Sequence, residues 1–138
     1  MKASGYWAIA AGVVLTFLAT GATAAYQRLA QAIASAEGFY VAGSRPQRNN
    51  NPGDLTVDIT GAGIGWDGPF VIYASAADGW AALDQQTEEM LSNTSGIYNN
   101  AMTISQVASK YTTTNQAGWA ATVAGQLGVG VDTPLSQI

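Results

Sequence analysis

The chain contains neither cysteine nor histidine, and only five of its 138 residues are basic against nine acidic. Each shortage closes off a chemistry. Without cysteine there is no disulfide, no thiolate nucleophile and no cysteine-rich zinc site. Without histidine there is no histidine-based triad and no usual zinc ligand set. If the chain is an enzyme, carboxylates must move the proton, which points to glycosidic-bond chemistry before most alternatives; neither a metal nor a cofactor is expected. Nor is nucleic acid an expected partner, because binding there depends on basic groups that neutralise phosphates, and no basic patch exists.

Charge is scarcest at the start. From Ala3 to Gln27 no side chain is charged, and Trp7 to Ala19 is almost wholly apolar. A short positive start, an apolar middle and the small-residue run Ala22-Thr23-Ala24 fit a secretory signal cleaved after Ala24. The same stretch reaches about 20 residues, enough to span a bilayer as a helix. A buried core helix fits less well, since the segment has no polar face. Residues 1–25 are therefore expected to form a hydrophobic helix, either a signal peptide or a transmembrane anchor, and residues 26–138 one small domain. The protein is accordingly expected to be exported, or anchored in a membrane facing the periplasm. Cleavage would leave four basic side chains (Arg28, Arg45, Arg48, Lys110) against nine acidic ones, a net charge of −5.

Beyond this segment, Leu29, Ala32, Ile33 and Ala36 share a helical face, predicting a helix over Tyr26 to Glu37 that stops at Gly38. Ala42 to Gly53 has no apolar periodicity and reads as an ordered loop. Asn51-Pro52-Gly53-Asp54 suits a type II turn. The alternation of Leu55, Val57 and Ile59 with Thr56, Asp58 and Thr60 predicts a strand. Gly61 to Gly68 then connects to a second strand over Pro69 to Tyr73, making residues 55–74 a hairpin. Ser75 with Asp78 resembles a capping box opening a helix to about Leu91, and Thr103 with Gln106 opens another. Asn115 is placed to cap a third, with Trp119, Val123 and Leu127 spaced by four and Gly128 ending it. The expected fold is α+β, mainly α, with one small β-hairpin.

Glu37 is the candidate catalytic group. A carboxylate at a helix C-terminus faces the negative end of the dipole, which raises its pKa, and Phe39 and Tyr40 would add desolvation. A carboxyl protonated near neutrality is what a general acid for a glycosidic oxygen requires. The alternative is a solvated glutamate that happens to precede a helix-stopping glycine. Asn49, Asn50 and Asn51 offer donors and acceptors suited to sugar hydroxyls or N-acetyl amides, or else bond their own backbone and brace the turn. Asp54 and Asp58 are candidates for a second carboxylate. Among the aromatic residues, spacing places Trp80 and Trp119 in the core, and Tyr111, at a helix end before Thr112-Thr113-Thr114, is the better candidate for a cleft. Trp66, Tyr73 and Tyr98 complete the supply of rings for stacking on sugars.

Taken together, Ala36-Glu37-Gly38-Phe39, then Arg48-Asn49-Asn50-Asn51-Pro52-Gly53-Asp54-Leu55, then Phe70 and Ser75 to Leu83, resemble the lytic transglycosylases of phage type within the lysozyme-like superfamily. Met102-Thr103-Ile104, Tyr111 and Trp119 to Pro134 resemble the C-terminal part of such peptidoglycan-degrading proteins. The likeness runs from about Leu29 to Leu135, and the Asn-Asn-Pro-Gly string in register with the upstream Glu-Gly is its most specific part. The Glu-Ser pair and the Gly-Leu-Met-Gln string of many bacterial relatives are missing. The resemblance implies a goose-lysozyme-like catalytic domain over residues 26–138, with Glu37 at the end of a core helix beside the cleft. It implies as partner the glycan strands of peptidoglycan, cut between N-acetylmuramic acid and N-acetylglucosamine. A single glutamate would act as acid and then as base, without a water nucleophile. The substrate-binding set would be Asn49, Asn50, Asn51, Asp54 and Tyr111. A phage particle opening the wall locally would be one setting. A hydrolytic muramidase and a non-catalytic, membrane-anchored glycan-binding or structural protein of a virion or envelope are the alternatives.

Overall fold

A computed structural model describes residues 23–138. The N-terminal segment read as signal or anchor lies almost entirely outside the described residues. Among the described residues no helix is long and apolar enough to cross a membrane.

Helix α1 (Ala25–Glu37) buries Leu29, Ala30, Ala32, Ile33 and Ala34. Its start is lightly capped. The Gln27 side chain accepts the Ala24 N–H at 3.3 Å, but Ala24 has no side-chain oxygen to return the bond. Its end is firmly stopped. Gly38 takes φ +83°, and the N–H groups of Gly38 and Phe39 return to the carbonyls of Ser35 and Ala34, a Schellman ending that only glycine adopts without strain.

The segment expected to be irregular contains a short helix, α2 (Arg45–Arg48), capped by Ser44 and with Pro46 in its first turn, where a missing N–H costs no intrahelical bond. The turn at Asn51 closes as expected, with the Asp54 N–H on the Asn51 carbonyl at 2.9 Å, but it is not type II. That type needs positive φ at its third residue, whereas Asp54 (φ 49°), not Gly53, takes the left-handed conformation.

A hairpin is present, but its first strand is not at residues 55–60. Strand β1 is Gly63–Asp67 and strand β2 is Phe70–Tyr73, antiparallel, pairing Asp67 with Phe70 and Trp66 with Val71. Gly68 (φ 59°) and Pro69 make the two-residue connection, in keeping with a hairpin turn that wants glycine first. The alternation at 55–60 does not become a strand because its backbone is engaged elsewhere. The Leu55 N–H goes to the Asn51 side chain, Ile59 and Gly61 close tight turns onto Val57 and Asp58, and Val57 is 59% exposed.

Three helices complete the fold. Helix α3 (Ala76–Ser92) starts where Ser75 accepts the Asp78 N–H, and α4 (Ile104–Tyr111) carries a full capping box between Thr103 and Gln106. Helix α5 (Gln116–Leu127) follows Asn115, which supplies no side-chain cap and sits at φ 46°; Gly128 ends the helix in the left-handed region. Helix α1 packs on α3 and α5, α4 packs on α5, and β2 touches α3. The core collects Leu29, Ile33, Leu83, Met90, Ile104 and Val123. Thr87, fully buried on α3, donates its hydroxyl to the Tyr26 carbonyl at 2.8 Å and so ties α3 to the first turn of α1. The architecture is mainly helical α+β with one two-stranded hairpin.

Gly79 sets how closely α3 approaches the asparagine loop, since a Cβ there would lie 1.8 Å from the backbone oxygen of Asn50. Backbone cannot yield as a side-chain tip can. Gly79→Ala is expected to destabilise the protein by about 2–3 kcal/mol, measured by denaturant unfolding. Gly125→Ala, on α5 with open space around it, is expected to stabilise by about 0.5 kcal/mol.

Candidate active site

The Schellman ending holds the last side chain of α1, Glu37, against α5, where Trp119 Nε1–H donates to Glu37 Oε2 at 2.7 Å. Trp119 is 5% exposed and stacks at a tilt on Tyr111, with ring centroids 5.0 Å apart; Tyr111 in turn faces Tyr98 at 6.2 Å. These rings, brought in from α4, α5 and the loop before α4, line the hollows on which the carboxyl opens. Phe39 and Tyr40, expected to desolvate it, make ring contacts of their own. They pack edge-to-face on each other, Phe39 also meets Trp80, and neither lines the hollows at Glu37.

Two hollows meet at this carboxyl. One, of about 390 Å³, runs past Phe70, Tyr98, Lys110 and Tyr111. The other, of about 280 Å³, runs past Asn115, Gly118 and Trp119. Glu37, Arg45, Asp54, Thr112 and Thr114 line both. Glu37 Oε2 is taken by Trp119, and among the described residues Oε1 has no hydrogen-bond partner and is not sealed from the surface. Burial pushes the Glu37 pKa from 4.5 to about 7. The Trp119 bond and the positive charge of Arg45 pull it down, and the negative charge of Asp54 pushes it further up. Desolvation is the largest of these effects, so the carboxyl is about half protonated at neutral pH.

Asp54 is 7% exposed and is gripped by Arg45, whose Nε reaches both carboxylate oxygens at 3.1 Å while Nη2 pairs with Oδ2. The same guanidinium lies 3.6 Å over the Phe70 ring, a cation–π contact that steadies it. Tyr111 donates its hydroxyl to the Gly53 carbonyl at 2.8 Å and accepts from Gln86 at 3.2 Å, which fixes it as a wall of the cleft. A Cβ on Gly53 would sit 3.0 Å from that hydroxyl and 2.7 Å from Leu83, so a larger residue there would have to displace side chains of the cleft wall.

Of the five residues expected to bind substrate, Asp54 and Tyr111 line the cleft. Asn49, Asn50 and Asn51 do not. Asn51 is fully buried and binds the backbone of Leu55 and Val71, Asn49 donates to Asp67 and Asn50 to the Tyr73 carbonyl. Their amides brace the hairpin. Asp58 accepts the Gly63 N–H at 3.1 and 3.2 Å, which engages its carboxylate in bracing too. Trp80 is half-buried outside the cleft, beside Phe39. Two participants went unread: Trp119, whose spacing marks a core residue and says nothing of its N–H, and Arg45, separated from Asp54 by nine positions with no pattern to link them. Among the described residues, no three metal-ligating side chains cluster.

A carboxyl whose pKa is raised on folding binds its proton more tightly in the folded state, so folding loses stability as pH rises from about 4.5 to about 7. Glu37→Gln removes that loss. It is expected to raise stability at pH 8, on the order of 2 kcal/mol, and to leave it unchanged below pH 4.5, read from thermal unfolding at both pH values. Trp119→Phe removes the one bond that favours the charged form, so the Glu37 pKa is expected to climb further above 7 in a carboxyl-detected NMR titration. Comparisons with protein-family models, with curated proteins and with solved structures each find no match.

Proposed function

We propose that the protein cleaves the β-1,4 bond between N-acetylmuramic acid and N-acetylglucosamine in peptidoglycan as a lytic transglycosylase, with Glu37 as acid and then base. The observation that carries this is a carboxyl with a pKa of about 7 at the point where two hollows meet. A sugar polymer laid through both would bring one linkage over Glu37, with residues on either side of the bond. The tie between Oε2 and Trp119 leaves Oε1 to face the glycosidic oxygen.

The chemistry follows from that single group. Protonated Glu37 gives its proton to the glycosidic oxygen as the bond to C1 of the muramoyl residue breaks. The carboxylate so formed takes the proton of the muramoyl C6 hydroxyl, whose oxygen bonds to C1 and closes a 1,6-anhydro ring. The proton is returned to Glu37 and no water is consumed. A hydrolase would want a second carboxylate free to activate water or to attack, and Asp54, held on both oxygens by Arg45, is poorly placed for that. Its engagement favours ring closure over hydrolysis. The apolar N-terminal stretch supports work at or beyond a membrane. Glu37 lies 13 residues past Ala24, about 20 Å along a helix, so a retained anchor would confine the action to glycan close to the bilayer, as for a virion or inner-membrane protein.

Full-length protein in mild detergent is expected to release anhydromuropeptides from purified murein sacculi, identified by mass, and Glu37→Gln to cut the rate by at least about a hundredfold. Products with only reducing ends would make the enzyme a muramidase. Binding to sacculi without product, unchanged in Glu37→Gln, would make it a glycan-binding protein.

A further inference from the structure

The charged groups along the cleft are Glu37, Arg45, Asp54 and Lys110. Arg45 and Asp54 neutralise each other in a two-point ion pair. When Glu37 holds the proton needed for its acid step it carries no charge. Lys110 then leaves the cleft with a net charge of +1 in a chain whose overall charge is −4. Among the described residues the ion pairs join Arg45 to Asp54 and Arg48 to Asp67, neither involving Lys110, and residues 1–22 contain no acidic side chain to pair with it. The backbone that carries this ammonium stands at a fixed place. Lys110 is in the last turn of α4, next to Tyr111, whose ring and hydroxyl are held by Trp119 and Gly53. Val57 and Ile97, each 59% exposed, give the same hollow apolar edges.

An unpaired cation in an otherwise acidic protein, inside a cleft with apolar edges, suits a substrate that carries carboxylates beside small apolar groups. We infer that Lys110 is a specificity residue that recognises carboxylates borne by the glycan, so that the cleft selects the acidic wall polymer over a neutral sugar chain. The inference rests on the cleft being a glycan site. Two sources offer the same chemistry: the carboxylates of the peptide stems, and the lactyl carboxylate of muramoyl residues that have lost their stem, since an attached stem ties that group up as an amide. Without Lys110, the surplus of acidic groups on this chain would oppose the approach of such a polymer.

The test is co-sedimentation of full-length protein, in mild detergent, with three preparations: native sacculi, glycan strands stripped of stems by an amidase, and sacculi whose carboxyls are capped as amides. Lys110→Gln is expected to weaken binding to native sacculi by about three- to tenfold, to leave binding to capped sacculi unchanged, and to be rescued by Lys110→Arg. An effect confined to stem-bearing material assigns the stems, and one that grows on stripped strands, where the amidase frees the lactyl carboxylate, assigns that group. Equal binding by wild type and Lys110→Gln to native sacculi, or an equal loss on capped sacculi, overturns the inference. If anhydro products still appear in that case, the cleavage reading survives it. If Lys110 controls binding but no product forms, recognition stands and cleavage falls. If wild-type protein binds none of the three, both fall.

Discussion

Among the described residues the outer edge of β2 has no third strand to pair with, yet its backbone groups at Val71 and Tyr73 are satisfied. The Val71 N–H reaches the Leu55 carbonyl at 2.9 Å and the Val71 carbonyl takes the Asn51 amide at 2.9 Å. The Tyr73 N–H reaches the Asn49 carbonyl at 2.9 Å and the Tyr73 carbonyl takes the Asn50 amide at 3.0 Å. The asparagine string thus stands in for a strand, Asn50 and Asn51 supplying side-chain donors and Asn49 a backbone carbonyl, while the Asn49 amide goes to Asp67. Leaving any of these buried groups unpaired would cost about 1–3 kcal/mol. The requirement explains the company the string keeps. Asn50 must take φ 52° to face β2, and asparagine tolerates that region better than most residues. Gly79 must lack a side chain for α3 to pass the Asn50 carbonyl. Asp54 ends the same loop and is delivered, buried, to the cleft floor.

What the loop delivers then shapes Glu37. The Schellman ending of α1 fixes where the carboxyl begins, and the Tyr98, Tyr111 and Trp119 rings remove water from around it. Against that desolvation stand one hydrogen bond from Trp119 and the charge of Arg45, and the negative charge of Asp54 outweighs the latter. Burial therefore wins, and the group is held between its two protonation states near neutrality. A site that donated three or four bonds to the same carboxylate would have kept it charged and useless as an acid. One bond orients it without overcoming the burial.

How much of this was legible varies with the range of the interaction. Helix ends were readable because their chemistry is local: Ser75, Thr103, Gly38 and Gly128 act within a few residues of themselves. Glu37 was readable as a position, at a helix end before glycine, and the upward direction of its pKa is as expected, though its largest cause is burial in the folded chain and not the dipole of its own helix. The strand at 55–60 failed because alternation records which side chains could share a face and not which backbone has a partner. Residues 63–67, rich in glycine, had the partner. The asparagines posed a choice between sugar and scaffold that only their burial and bonds decide, and the pairs Arg45–Asp54 and Trp119–Glu37 leave no trace in spacing at all.

Arg45 links the scaffold to the chemistry. Its side chain is about half exposed while the Asp54 carboxylate is almost wholly covered, so the pair cannot be valued as a fully buried bridge, and part of its attraction is screened by solvent. The buried partner has no such latitude. Without the guanidinium, Asp54 would keep an uncompensated charge beside Glu37, and that charge would act on a neighbour already raised by burial. The Glu37 pKa would then move further up, in the direction in which burial already drives it. In the proposed acid step Arg45 would act by offsetting part of that negative charge, and the Phe70 ring beneath it ties the pair back to β2 and the asparagines along its edge.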